Sequence, residues 1–460
     1  MERAAFLLVA ASAAAFAASA PARGREAKPA SILVIPEKPV DVAALLNVAH
    51  GAPPLICALA ARAVHNGNWG GWAEAPATPL APVDLPEDRD EERRPLSATD
   101  RDLLLGSVAS DDACVRELAI RLLGTQREDA GIARSLASRL QSTDASIRAT
   151  VAFGLGLVGS TVGIDPLITS LRDGTPAVRA NAAWALGRME AGRALGPLTP
   201  LFHDTDALVR EASITAVGQL DSTSAVEAIS RVLQSDPAPS VRRVAAWALG
   251  TLEARQATQT LVSALAHDQD ARVREMSAWA IGNVEGNAGV PALIAALQHD
   301  QEEKVRETAA WALGQLEDEG AVEALGIAVG ADASPRVRGT AAWAIGQLRE
   351  DGGRMPPGML RVLKDENEDV RLRAAWALGQ LGDTAALPAI ELALNAETNS
   401  EVRRALIRAL IKCGGRSEKT LTALLKSDDP SVREAAVRGL AGRNSLDPWP
   451  WPEPRPRPFP

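Results

Sequence analysis

The residues of this chain with the clearest capacity for chemistry are three cysteines and five histidines. A zinc or redox site needs cysteines at close, paired spacing, and Cys57, Cys114 and Cys413 have none. As they stand they read as three small buried hydrophobes. In an oxidising compartment the alternative is a Cys57–Cys114 disulfide that pins the N-terminal segment to the chain around Cys114. His203, His267 and His299 recur in one register, each directly before an aspartate. Metal binding would require them to converge, yet ordinary helix spacing keeps such repeated positions about 10 Å apart or more. Their register suits a turn role. His50 and His65 lie apart from them, and the chain contains no HExxH, phosphate-binding loop or GxSxG sequence. No catalytic constellation, metal or cofactor is expected. What remains is the chemistry of contact: ten of the fifteen aromatic residues are tryptophan.

The elements that position those tryptophans repeat. A Val-Arg pair (once Ile-Arg) starts at 115, 147, 178, 209, 241, 273, 305, 337, 370, 402 and 432, at spacings of 30 to 33 residues. Such a period marks stacked supersecondary units. Numbered from its Val as position 0, each unit places apolar or small residues at 0, +4, +7 and +8, which fall on one face of a helix, here B. Gly at +9 is expected to end helix B as a left-handed cap. An acid at −5, from Asp173 to Glu397, is expected to cap its start, with Glu303 and Glu368 completing capping boxes. Between each Gly and the next acid lies a second apolar helix, A, as in Val290–Leu297 and Thr384–Leu394. Ala-rich, aromatic-poor composition agrees with close-packed helices and argues against β structure.

The pattern D-x4-V-R-x-x-A-A-x-A-L-G resembles the short HEAT-like repeat of phycobilisome lyases, over roughly residues 98–443. The resemblance implies an all-α fold, an α-solenoid of about eleven helix pairs in a right-handed superhelix. It also implies a structural role for the Arg at +1, bridging to the acid of an adjacent turn. Arg179, Arg242, Arg274, Arg306, Arg338 and Arg371, with Asp173, Asp236, Asp268, Asp300, Asp332 and Asp365, would form that ladder. Two enzyme types share the repeat. Deoxyhypusine hydroxylase uses His-Glu pairs near +2 and +3, where this chain has no His. Phycobilisome lyases act on bilins, and no residue here identifies a bilin site.

Position +6 carries Trp184, Trp247, Trp279, Trp311, Trp343 and Trp376. It points to about 240° on the helical wheel, while the apolar stripe centres at about 25°. The indoles therefore leave the core direction of their own helix. Either each lies against the neighbouring B helix, or together they line a concave binding strip; the two readings are compatible. As a strip they would receive a protein or Pro-rich peptide, with Arg243 at +2 and Arg408 at +6 beside them, or alternatively stack on sugar rings.

The ends differ from the repeats. Residues 1–20 read as a secretory signal, with an apolar run Ala4–Ala20 and Ala18-Ser19-Ala20 before Pro21, so a periplasmic or extracellular location is expected. Residues 21–64 hold two short helical patterns, Val40–Ala49 and Pro54–Val64, and 65–97 form a Pro/Gly/acidic linker. The segment 444–460 has Pro at alternate positions and cannot be helix; docking on the chain's own tryptophan strip is one use for it. A net charge of −9 gives no general attraction to nucleic acid or to anionic membrane.

Overall fold

The computed structural model describes residues 41–53, 57, 95–284, 286–348, 355–356, 358–414, 418–428 and 430–440. The helical unit begins at Val42. The signal at 1–20, the segment Pro54–Val64 apart from Cys57, the linker up to 94 and the tail 444–460 lie outside the described residues.

The described residues form helices and no strand. The chain is an α-solenoid of helix pairs. B helices include Pro239–Thr251, Ala271–Asn283, Glu303–Gln315, Pro335–Gln347 and Glu368–Leu381. Most A helices open with a short 3-10 turn, as in Asn287–Gly289 before Val290–His299 and Thr384–Ala386 before Leu387–Ala396. Successive B helices pack on one another, and each packs on its own A segment. Alanines at +4, +5 and +7, fully buried in most units, let these backbones approach.

Both expected helix ends need correction. The glycines at +9, from Gly124 to Gly379, lie inside helix B and none has positive φ. The left-handed residue comes three positions later, at +12. It is Gly159, Gly382 and Gly414 in three units, but Glu190, Asp221, Glu253 and Glu317 in four others, with φ of 46–50°. A side chain there costs roughly 1–2 kcal/mol against right-handed backbone, partly offset by the entropy a glycine loses on folding. Glu253→Gly is therefore expected to stabilise the array by about 0.5–1 kcal/mol, read as a higher urea midpoint. At the other end, the N-cap is the residue at −3. Asp144, Asp206, Asp270, Asn367 and Asn399 there accept backbone N–H groups of the first turn. The acid at −5 is not a cap, and Glu303 and Glu368 stand at the first helical position, so no capping box forms.

At the start, helix α1 (Val42–Ala49) buries Val42, Leu46 and Ala49, packing on α2 (Ala98–Ser107) and α3 (Ala113–Gly124). Cys57 and Cys114 are joined in a disulfide with Cα atoms 5.6 Å apart, so the reading as a buried hydrophobe fits Cys413 alone. The Gly51 N–H donates to the Asp112 carboxylate at 2.7 Å. That bond heads the influences holding Asp112 below the usual carboxylate range.

Candidate interaction surface

Two regular networks run along the B helices. The first is ionic. Among the described residues, eight arginines at +1 each grip the −5 acid of the next unit: Arg148–Asp173, Arg179–Asp204, Arg210–Asp236, Arg242–Asp268, Arg274–Asp300, Arg306–Asp332, Arg338–Asp365 and Arg371–Glu397. The grip is bidentate. In Arg242, Nε and Nη2 donate to the two Asp268 oxygens at 2.7 and 2.8 Å. Nη1 donates back to the Asp236 carbonyl of its own turn at 2.8 Å. The acid is used twice, since Asp268 also accepts the Asp270 N–H at 2.9 Å. One arginine thus closes its own A–B turn and fastens it to the next. Asp173, hydrogen-bonded to Arg148, is held below the ordinary carboxylate range. At Asp268 burial pushes upward most strongly, but the bonds from Arg242 and Asp270 and the charge of Arg242 outweigh it. Serines hold the acid's place after Arg116 and Arg403, at Ser142 and Ser427, and the ladder stops there.

The second network is steric and explains the glycines. A β-carbon built on Gly156, Gly218, Gly250, Gly282, Gly314 or Gly346 would lie 2.5–3.2 Å from Cζ3 of Trp184, Trp247, Trp279, Trp311, Trp343 or Trp376, respectively. Each of these six glycines is the seat of the next unit's indole. Where that unit has Thr215 instead of Trp, Gly187 receives Ala216 and the Gln219 amide. At the N-terminal end Phe153 stacks on Trp184 with ring centroids 4.7 Å apart. The guanidinium of Arg121 stands 5.8 Å from the Phe153 ring.

These seats correct the partner-binding expectation at two positions. Trp311 and Trp343 are only 7% and 2% exposed, because the neighbouring unit covers their rings. Trp184, Trp247, Trp279 and Trp376 are half-buried. Arg243 and Arg408 are half-buried too, and both have interaction partners. His203, His267 and His299 are exposed at the ends of A helices. A row of amides missed in the sequence flanks the indoles. The residue one helical turn after each Trp, at +10, carries an amide in Asn283, Gln315, Gln347 and Gln380. The residue one turn before, at +2, is Glu275 or Glu307 beside Trp279 or Trp311. Both glutamates are half-buried, and burial pushes both carboxyls above the ordinary range. Neither makes an ion pair or hydrogen bond among the described residues. Lys304, Arg243 and Arg272 act on Glu275 only at longer range, as Arg336 and Arg373 do on Glu307. Glu211, in the same register two units earlier, is buried and held by Ser240.

This architecture defines a helical-repeat solenoid, a class whose stacked units build extended binding surfaces. The chain belongs to the HEAT repeats family, which it matches in overlapping stretches at residues 133–216, 164–250, 197–282, 229–314, 290–354, 327–411 and 389–449. Solved structures resemble it to different degrees. Kap95p, in a structure with RanGDP, is 13% identical with a TM-score of 0.55; the match covers 75% of this chain and 57% of that one. An engineered protein is 20% identical (TM-score 0.39, 74% and 98% covered). The CpcE–CpcF complex of phycocyanin lyase from Nostoc sp. is 23% identical (TM-score 0.33, 54% and 94% covered). No curated protein matches.

Proposed function

We propose that this protein is a non-enzymatic binding scaffold that works outside the cytoplasm and receives a polypeptide segment along the B-helix row between Glu211 and Gln380. The observation that carries this reading is the pair Glu275 and Glu307. A carboxylate moved part-way out of water without a partner is destabilised, and a bound N–H donor or cation would offset that cost. The amides of Gln315 and Gln347 add donors and acceptors of the kind that satisfy an extended backbone. The charges facing the row are of both signs, which favours a partner of mixed charge over a polyanion. Sugar stacking is the weaker reading, because it needs bare ring faces and the central indoles are covered. The Cys57–Cys114 disulfide supports an oxidising compartment, in line with the signal-like residues 1–20.

The test is affinity capture from an envelope extract, comparing the wild-type chain with a Glu275→Gln/Glu307→Gln/Gln347→Ala variant of equal helicity and melting temperature. A partner retained by the wild type and lost by the variant is the expected result. The same partners at the same occupancy on both chains would move the site elsewhere.

A further inference from the structure

The last B helix, Pro430–Leu440, leaves uncovered what every other unit buries. At +5 and +8 the preceding units, from Ile120 and Leu123 to Ile407 and Leu410, have side chains at most 2% exposed. The equivalents here, Val437 and Leu440, are 54% and 40% exposed. Arg433 repeats the pattern in polar form. Its Nη1 donates to the Ser427 carbonyl at 2.6 Å, as ladder arginines do to their own turn. The edge that elsewhere grips the next unit's acid meets no acid among the described residues. The end of the stack therefore presents two apolar side chains and a guanidinium edge, whereas a repeat array needs a covered or polar end to stay soluble.

We infer that residues 441–460 of the same chain cover this face, with Trp449 and Trp451 on Val437 and Leu440 and with Asp447 or Glu453 at Arg433. A helix A formed by 448–460 is excluded as the cover, because proline at alternate positions there removes the backbone donors it would need. The segment has what the face lacks: indoles for apolar cover and carboxylates for the arginine. It also has the reach. Trp449 follows Leu440 by nine residues, at most about 30 Å of extended chain, while crossing one helix row takes roughly 8–10 Å. Head-to-tail stacking of a second copy is the poorer occupant, since α1 already packs on the opposite end at α2 and α3.

Amide hydrogen exchange on the full-length chain tests this. Trp449→Ala/Trp451→Ala is expected to speed exchange of the 430–440 amides severalfold and to leave the Pro335–Gln347 helix unchanged. Leu440→Glu should do the same from the other side of the contact. Unchanged 430–440 exchange in the tryptophan variant overturns the inference. So does sedimentation of the wild type as a dimer that Leu440→Glu converts to monomer, because a second copy would then hold the face.

Discussion

Gly346→Ala is expected to destabilise the array by about 2 kcal/mol, although helix propensity alone favours the substitution by about 1 kcal/mol. The new methyl would stand 2.5 Å from Trp376 Cζ3 and 2.9 Å from the Ala377 Cα. The second contact is backbone, so the indole cannot simply swing away. Relief requires the two B helices to separate, which loosens alanine contacts along both. Overpacking of this kind costs typically 1–3 kcal/mol, and the propensity gain offsets part of it. Gly106→Ala is the control. It lies in a helix with nothing within 4 Å of the new β-carbon and should gain stability. The double substitution Gly346→Ala/Trp376→Phe, which removes the outer ring edge, should recover part of the loss. Urea unfolding followed by circular dichroism reads all three. Equal behaviour of Gly346→Ala and Gly106→Ala would rule out the seat.

The repeat, its helix pairing and the direction of each core stripe were legible because a period of about 32 residues leaves little freedom in where the helices fall. The role of the glycine was not. A left-handed cap and a seat for a neighbour's side chain both require the smallest residue, and only the fold distinguishes them. The positive φ of Glu190, Glu253 and Glu317, three positions later, is what shows that this chain ends helices without glycine. The tryptophans are ambiguous in the sequence for a related reason. The wheel placed them off the stripe of their own helix, which is correct. In a solenoid, however, each B helix is flanked by two others, so a side chain leaving its own core can enter the interface with the preceding unit. Trp343 does so almost completely. By position the acids at −5 suggest caps, and only the family resemblance points to their main partner, an arginine 25 to 27 residues earlier. Asp206 and Asp270, at the true cap, stood two residues beyond them in the sequence. The Cys57–Cys114 pairing could not be settled from the sequence, since separation alone does not bring two sulfurs together.

Asp268→Ala is expected to cost about 3 kcal/mol, because it leaves the half-buried Arg242 guanidinium without its bidentate partner and the Asp270 N–H without its acceptor. Arg242→Met alone should cost a similar amount. The double variant Arg242→Met/Asp268→Leu removes both charges and should lose far less than the two singles together. A double-mutant cycle measures that coupling, and additive losses would mean the ladder contributes no more than surface pairs do. The same ladder sets the acid limit of the protein. Asp173, Asp204, Asp268, Asp300, Asp365 and Glu397 all have folded pKa values below their ordinary ones. Unfolding therefore takes up protons, so their stabilisation is complete above about pH 4 and disappears as pH falls through the folded values. Glu211, Glu275 and Glu307 work in the opposite sense, since burial raises theirs. Their folded forms bind protons first, so stability should rise as pH drops from neutral toward about 4.5 and collapse below about 4. Thermal melts across that range should show the maximum on the acid side of neutrality. In Glu275→Gln/Glu307→Gln the rise should shrink while the acid collapse stays in place, because the ladder that causes it is intact.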